Sequence, residues 1–262
     1  MIFRLMRPGW FGRRTQAQDR PIYFQHIPKT AGTSIRTWLH SHYGDRFCPA
    51  GLADELVALP PEKLRSYQAF GGHFHGYLQP YLGRDLMTVT VLREPMARTR
   101  SHWHHVRRVL VHPHHPRVKG QTFAEFVMDD LNREMIEDYQ ARYLIKLPLS
   151  MATMATRFSE AEYARFALAV LLEQTSLSVL KPELLEGART TLKGMAVIGT
   201  TERLHDFLVE VANLADIPPP TAEEVPRANV TERDGAEELP GEALRRLRDL
   251  TRIDQELYDA AI

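Results

Sequence analysis

Tyr23-Phe24-Gln25-His26-Ile27-Pro28-Lys29-Thr30-Ala31-Gly32-Thr33-Ser34 decides how this chain folds. An apolar run enters a turn holding a lysine, a glycine and three hydroxyl residues. Ile35, Trp38, Leu39 and Tyr43 then recur at helical spacing. A buried strand feeding a turn and a helix N-terminus is a general device for holding an anion. The first N–H groups of the helix lack an intrahelical acceptor, and the helix dipole favours negative charge beside them. Lys29 adds a full positive charge, and Thr30, Thr33 and Ser34 add hydroxyls. The bland reading of the same letters is a strand–turn–helix connection with a surface lysine.

The order is not that of a nucleotide-binding P-loop. G-x-x-x-x-G-K-[ST] places a glycine at the entrance and the lysine after the second glycine. Here Lys29 precedes Gly32, the one glycine of the turn. Pro28-Lys29-Thr30-Ala31-Gly32-Thr33-Ser34 instead resembles the 5′-phosphosulfate loop of sulfotransferases that use 3′-phosphoadenosine 5′-phosphosulfate (PAPS), in particular the branch of the heparan sulfate 2-O-sulfotransferases.

A second segment points the same way. Leu86-Met87-Thr88-Val89-Thr90-Val91-Leu92 is apolar and β-branched, as a buried parallel strand should be. It runs into Arg93-Glu94-Pro95, and Pro95 suits the first turn of a helix. Arg93 falls at the strand end and Ser101 two turns into the helix, so an arginine fork and a hydroxyl can close on one phosphate. The pair resembles the family's 3′-phosphate site, a strand-end arginine followed eight residues later by serine. A magnesium-binding nucleotidase would want an aspartate there. A capping arginine with a surface serine is the alternative.

Between the two lies Phe70-Gly71-Gly72-His73-Phe74-His75-Gly76-Tyr77. Transfer to an alcohol needs a base near neutral pH, and histidine is suited to that. In the 2-O branch the catalytic histidine occupies a Gly-His pair at this point, which Gly72-His73 matches. His75 departs from that pattern and is a substitute or acceptor contact. Later, Val197-Ile198-Gly199-Thr200-Thr201 resembles a strand–turn element near the nucleotide. Thr201 reads equally as a helix cap or an adenosine contact. Arg227-Ala228-Asn229-Val230-Thr231 and Leu257-Tyr258 resemble the family loosely.

Taken together, the resemblance implies an α/β sulfotransferase fold, a three-layer P-loop-like parallel sheet flanked by helices. Lys29 and the amides and hydroxyls of Thr30, Ala31, Gly32, Thr33 and Ser34 would hold the 5′-phosphosulfate, and Arg93 and Ser101 the 3′-phosphate. His73 would be the base and Lys29 the group that stabilises the leaving phosphate. PAPS is then the donor, PAP the product, no metal is required, and a hydroxyl of a carbohydrate or glycolipid is the expected acceptor. A kinase-like phosphotransferase and a non-catalytic PAP- or glycan-binding relative are the other readings.

The rest of the chain frames this reading. Its 262 residues suffice for one large α/β domain, assigned to 21–262 after a flexible basic lead-in at 1–20. Lys+Arg and Asp+Glu both number 33, so no global field draws nucleic acid. The single Cys48 permits no internal disulfide. No run reaches the roughly 20 apolar residues of a membrane span, and the expected setting is bacterial and cytoplasmic. Oligomeric state is silent.

Further elements follow from local signals. Strands are expected at 21–27, 69–74, 86–92 and 195–199. Helices are expected at 33–43, from 62, at 95–111, 182–192 and 203–215, and as a single helix at 241–260. Thr122 with Glu125 and Ser159 with Glu162 spell capping boxes, the second opening a helix to about 173. Residues 217–226 hold four prolines and read as extended. His102-Trp103-His104-His105-Val106-Arg107-Arg108 and the His/Pro loop to Lys119 allow three readings: a solvated helix face and loop, a basic acceptor wall, or a metal site.

Overall fold

The computed structural model describes residues 20–145, 181–221, 223, 225 and 239–262. Four parallel strands form its sheet: β1 (Ile22–Gln25), β2 (Ala69–Gly72), β3 (Met87–Leu92) and β4 (Val197–Thr200), in the order β2-β1-β3-β4. Ile22 pairs with Ala69 on one side and Met87 on the other, and Val89 pairs with Val197. The described helices are α1 (Gly32–Tyr43), α2 (Ala53–Val57), α3 (Pro61–Ser66), α4 (Leu78–Leu82), α5 (Pro95–Arg108), α6 (His115–Val118), α7 (Phe123–Met128), α8 (Tyr139–Ile145), α9 (Lys181–Lys193), α10 (Leu204–Ala215), α11 (Gly241–Leu250) and α12 (Arg252–Asp259).

Side chains alternate across each strand, so the sheet builds a core on both faces. Ile22, Phe24, Met87, Val89 and Val91 pack with Ile35, Trp38 and Leu39 of α1 and Phe207, Leu208 and Val211 of α10. Tyr23 and Phe70 point the other way, onto Leu56, Leu64 and Leu78 of α2, α3 and α4. Leu92 joins Ile27 against α8, α9 and α12. Helices therefore cover both faces, giving three layers. Truncating a buried phenylalanine such as Phe24 to alanine would cost about 3–5 kcal/mol.

Local signals placed most described elements. Thr122 and Glu125 form the expected capping box, with Glu125 N–H donating to Thr122 Oγ1 at 3.2 Å and Thr122 N–H to Glu125 Oε2 at 2.7 Å. Pro95 opens α5, and the Glu94 carboxylate caps it by accepting from the amides of Met96 and Ala97. The single helix expected at 241–260 is instead two. Thr251 leaves helical geometry, and the Asp138 carboxylate accepts the amides of Ile253 and Asp254, giving α12 a capped start of its own. Helix α5 stops at Arg108, short of the expected 111. The Ser159–Glu162 pair, the helix to 173, the segment 227–231 and residues 1–19 lie outside the described residues.

The strand order creates a switch point. From β1 the chain moves outward to β2, then returns to place β3 on the opposite side of β1. In open parallel sheets the crevice at such a switch point, beyond the carboxyl ends of the strands, is where ligands bind. The segments leaving β1 and β3 there carry Lys29 and Arg93.

Candidate active site

The turn after β1 holds two non-glycine residues in left-handed backbone, Lys29 at φ 75° and Ala31 at φ 61°. Each such conformation costs about 1–3 kcal/mol and persists only where the surroundings impose it. Thr30 is one source of that constraint: its amide and hydroxyl both donate to the Ile27 carbonyl, at 3.4 and 2.8 Å. It is wholly buried. Its hydroxyl hydrogen is thus spent on the turn, which corrects its expected role as a donor to the ligand.

His26 supplies a second constraint. Its ring lies over Gly32, and a Cβ there would sit 1.8 Å from His26 Nε2. Only glycine allows that approach. Ala31 is the N-cap of α1 and offers no side-chain cap. The amides of Gly32, Thr33 and Ser34 form the first turn of the helix, at the positive end of its dipole. Ser34 is buried and Thr33 exposed.

Lys29 sits among cations. Burial pushes its pKa down to about 8, and Arg108, Arg93 and Arg98 add to the fall. No described carboxylate forms an ion pair with it. Arg93 Nη1 donates to the Lys29 carbonyl at 3.3 Å, which joins the two expected phosphate segments directly. Burial lowers the Arg93 pKa, while Glu202 and then Glu94 oppose the fall.

Gln140 of α8 clamps the Arg93 backbone. Arg93 N–H donates to Gln140 Oε1 at 2.9 Å, and Gln140 Nε2 donates to the Arg93 carbonyl at 2.8 Å. Ser101 is buried on α5, and no described residue hydrogen-bonds its hydroxyl. Arg98, Ser101, His105 and Arg108 share one helical stripe. Arg98 and Arg108 lower the Lys29 pKa and Lys29 lowers that of His105, so α5 runs across the lysine turn.

The histidine-rich segment divides. His102 is 6% exposed, which rules out a wholly solvated face. Burial, then Lys29, takes the His105 pKa down to about 4, so His105 is neutral beside the turn. His114 pairs with Glu134 at 3.0 Å, and His115 hydrogen-bonds the Val106 carbonyl. Among the described residues, no group of three or more His, Cys, Asp or Glu is placed to hold a metal ion.

His73 stands where β2 ends. Gly72, the residue before it, has no room for a side chain: a Cβ would meet the Gly51 carbonyl at 2.6 Å. His73 Nδ1 lies 2.9 Å from the His26 carbonyl and 2.6 Å from Tyr143 Oη. A carbonyl only accepts, so the proton is assigned to Nδ1, and the lone pair is left on Nε2. The His73 pKa is lowered, chiefly by burial, so the ring is neutral near pH 7. A neutral, oriented imidazole with its Nε2 lone pair unspent is suited to take a proton.

His75 differs. It is 3% exposed, at φ 55°, with Nδ1 3.1 Å from the Tyr143 carbonyl. Its own carbonyl accepts from Tyr23 Oη at 3.0 Å. These contacts make it a packing residue, against the reading as a substitute base.

Thr201 opens a single turn after β4, and its hydroxyl donates to Glu202 at 2.9 Å. It does not cap α10. Sequence reasoning missed three residues the structure brings to the site. His26 lay inside the decisive stretch but read as the end of a strand. Gln140 and Tyr143 lie on α8, whose short sequence carries no local signal of what its far contacts will be.

No model of a known protein family matches the chain. The chain is 27% identical to human heparan-sulfate 6-O-sulfotransferase 3, over 92% of this chain and 56% of that protein. It thus spans little more than half the length of the curated relative it matches. The likeness supports the sulfotransferase resemblance, and it falls on a 6-O rather than a 2-O enzyme. No described helix is long and apolar enough to cross a membrane.

Proposed function

We propose that this protein is a PAPS-dependent sulfotransferase acting on a sugar hydroxyl. One observation carries the reading: Lys29 and Arg93, leaving adjacent strands at the switch point, are joined by a hydrogen bond, with no described carboxylate paired to either. Such a concentration of unpaired positive charge beside an uncapped helix start is built for a polyanion. PAPS fits it, since its 5′-phosphosulfate and 3′-phosphate need two separated anion sites. Lys29 and the amides of Gly32, Thr33 and Ser34 form one, and Arg93 with the Ser101 hydroxyl forms the other. Thr201 stands at the next strand end as the candidate neighbour of the adenosine.

The donor supplies an activated sulfuryl group. His73 Nε2 takes the acceptor's hydroxyl proton as the acceptor oxygen bonds to sulfur and the bond from sulfur to the phosphate oxygen breaks. Lys29 stabilises the charge that collects on that phosphate. The 2-O and 6-O enzymes that the resemblance and the comparison bring in are both named for heparan sulfate, which favours a glycan acceptor.

A kinase-like reaction would want a carboxylate for magnesium at the end of β3. Arg93 is there instead, and the neighbouring Glu94 is occupied in capping α5. Thermal-shift measurement with PAP, ATP and ADP, with and without magnesium, tests the reading. Ligand at ~100 times Kd stabilises by about 2.7 kcal/mol. A PAP response without magnesium is expected. A response to ATP only with magnesium would overturn the donor class, and PAP binding without turnover of any glycan would leave a binding protein.

A further inference from the structure

His26 has so far been given only a part in shaping the turn and in orienting His73. It follows β1 directly, its amide donating to the Gly72 carbonyl at 3.1 Å and its carbonyl receiving His73 Nδ1. Its ring is stacked on His73, with centroids 4.4 Å apart and planes 26° from parallel, and on Phe24 at 5.4 Å. Its Nε2 edge is the part that fills the space over Gly32. The ring is partly exposed, and neither nitrogen has a hydrogen-bond partner among the described residues. An apolar aromatic ring would stack on the same partners. The polar edge is thus what the packing leaves unexplained.

Its position suggests what that edge is for. In an in-line transfer the order is 5′-phosphate, sulfur, acceptor oxygen, base. The phosphate belongs at the start of α1 and the base is His73. One ring touches both ends of that line, at Gly32 and at His73, so its edge runs beside the group in the middle. We propose that His26 is a third functional histidine, whose Nε2–H holds an oxygen of the sulfuryl group as that group passes from donor to acceptor. The inference rests on the donor reading above. Burial first, with the positive charges of Arg36 and Lys29 adding to it, keeps the ring neutral, so it serves as an N–H donor and does not compete with His73 for the acceptor's proton.

The contact exists in PAPS and not in PAP, which lacks the sulfuryl group, and this separates it from a role in shaping the turn. Calorimetry with PAPS and with PAP, on wild type, His26→Phe and His26→Gln, is the test. His26→Phe keeps the ring and the stack and removes the N–H, and His26→Gln keeps an N–H donor without the ring. Loss of a hydrogen bond to a charged group should weaken PAPS binding by about tenfold or more in His26→Phe, with PAP within about twofold of wild type. His26→Gln should keep part of the wild-type preference for PAPS.

Unchanged PAPS affinity in His26→Phe would overturn the proposal. So would an equal loss for PAPS and PAP, which would make His26 a packing residue of the turn. Should His26→Phe melt below the assay temperature, His26→Gln decides alone: a PAPS preference supports the contact and its loss sinks it. Wild type binding neither nucleotide would instead remove the donor reading itself.

Discussion

Two buried clusters of charge lie side by side near the strand ends, and they are finished in opposite ways. Around α8 and α12 the charges answer one another. Asp254 accepts the amides of Gln140 and Ala141, and Asp138 accepts those of Ile253 and Asp254, so each helix start is capped from the other segment. Buried Glu137 pairs with Arg133 at 2.5 Å, and Arg142 Nε donates to the Glu137 carbonyl at 2.6 Å. Across α5, no described carboxylate forms an ion pair with Lys29 or Arg93, whose side chain reaches the Lys29 carbonyl instead, and no described residue hydrogen-bonds the Ser101 hydroxyl or His73 Nε2. Arg98, fully buried, stands between the two and acts on the charges of both Lys29 and Asp254. Isolated buried charge is costly. The first cluster meets much of that cost with its own hydrogen bonds, and on the function proposed above a ligand meets it in the second.

If that contrast is right, changes on the open side should cost chemistry and changes on the closed side should cost stability. The largest effect belongs to His73. His73→Ala should lower kcat by roughly 10²–10⁴, the span for a general base, with PAP affinity nearly intact. His75→Ala should lower the melting temperature and spare kcat in the folded fraction, because its contacts are backbone carbonyls and packing. The reverse pattern in steady-state kinetics would move the base to His75.

Next is Lys29. Lys29→Ala should depress kcat by about 10²–10³, the scale of losing one group aimed at developing charge. Its effect on PAP affinity should be smaller, since the charge it meets grows in the transition state. A raised donor KM with unchanged kcat would make Lys29 a binding group only.

The open side was largely legible in the sequence, because its groups sit at fixed places in local motifs. Lys29, Gly32, His73 and Arg93 each follow a strand or ride a helix start, and Ser101 lies two turns into the helix that Pro95 opens. What those motifs do not encode is which group is spent on its own turn. Thr30 reads like Thr33 and Ser34, yet its hydroxyl closes on Ile27 three residues back. The closed side was not legible. Asp138 and Asp254 are separated by more than a hundred residues, and nothing near either predicts that they cap each other's helices. The same is true of Gln140 and Arg93. The break at Thr251 follows from this: the apolar spacing at 241–260 is that of one helix, and a distant carboxylate makes it two.

Arg93 tests the join between the clusters. Arg93→Ala should weaken PAP by about 1.5–3 kcal/mol, the scale of a hydrogen bond to a charged group, as read by calorimetry. Gln140→Ala leaves the guanidinium present but frees the backbone that carries it, so it should weaken PAP by less than Arg93→Ala does. Equal affinities for wild type and Arg93→Ala, or PAP binding no tighter than adenosine 5′-phosphate, would sink the 3′-phosphate assignment.

The remaining effect should appear on the closed side, as a pH dependence of stability. Burial raises the Asp254 pKa to about 6, against the pull of the Gln140 and Ala141 amides, and Asp138 adds to the rise. An unfolded aspartate titrates near ~3.9. Between those values the folded chain holds a proton that the unfolded chain has lost, so stability falls as pH rises. The contribution is fully present below about 4 and gone above about 6. Arg98 and Arg142 face this carboxylate and stay charged throughout, so they do not add a step in that window. Asp254→Asn cannot titrate, and it keeps one acceptor for the two amides. Denaturant unfolding of both proteins from pH 4 to 7 should show the wild type losing stability relative to Asp254→Asn as pH rises. A difference that grows in favour of wild type over that range would mean that the caps hold Asp254 ionised, and that the closed cluster is a true ion-pair network.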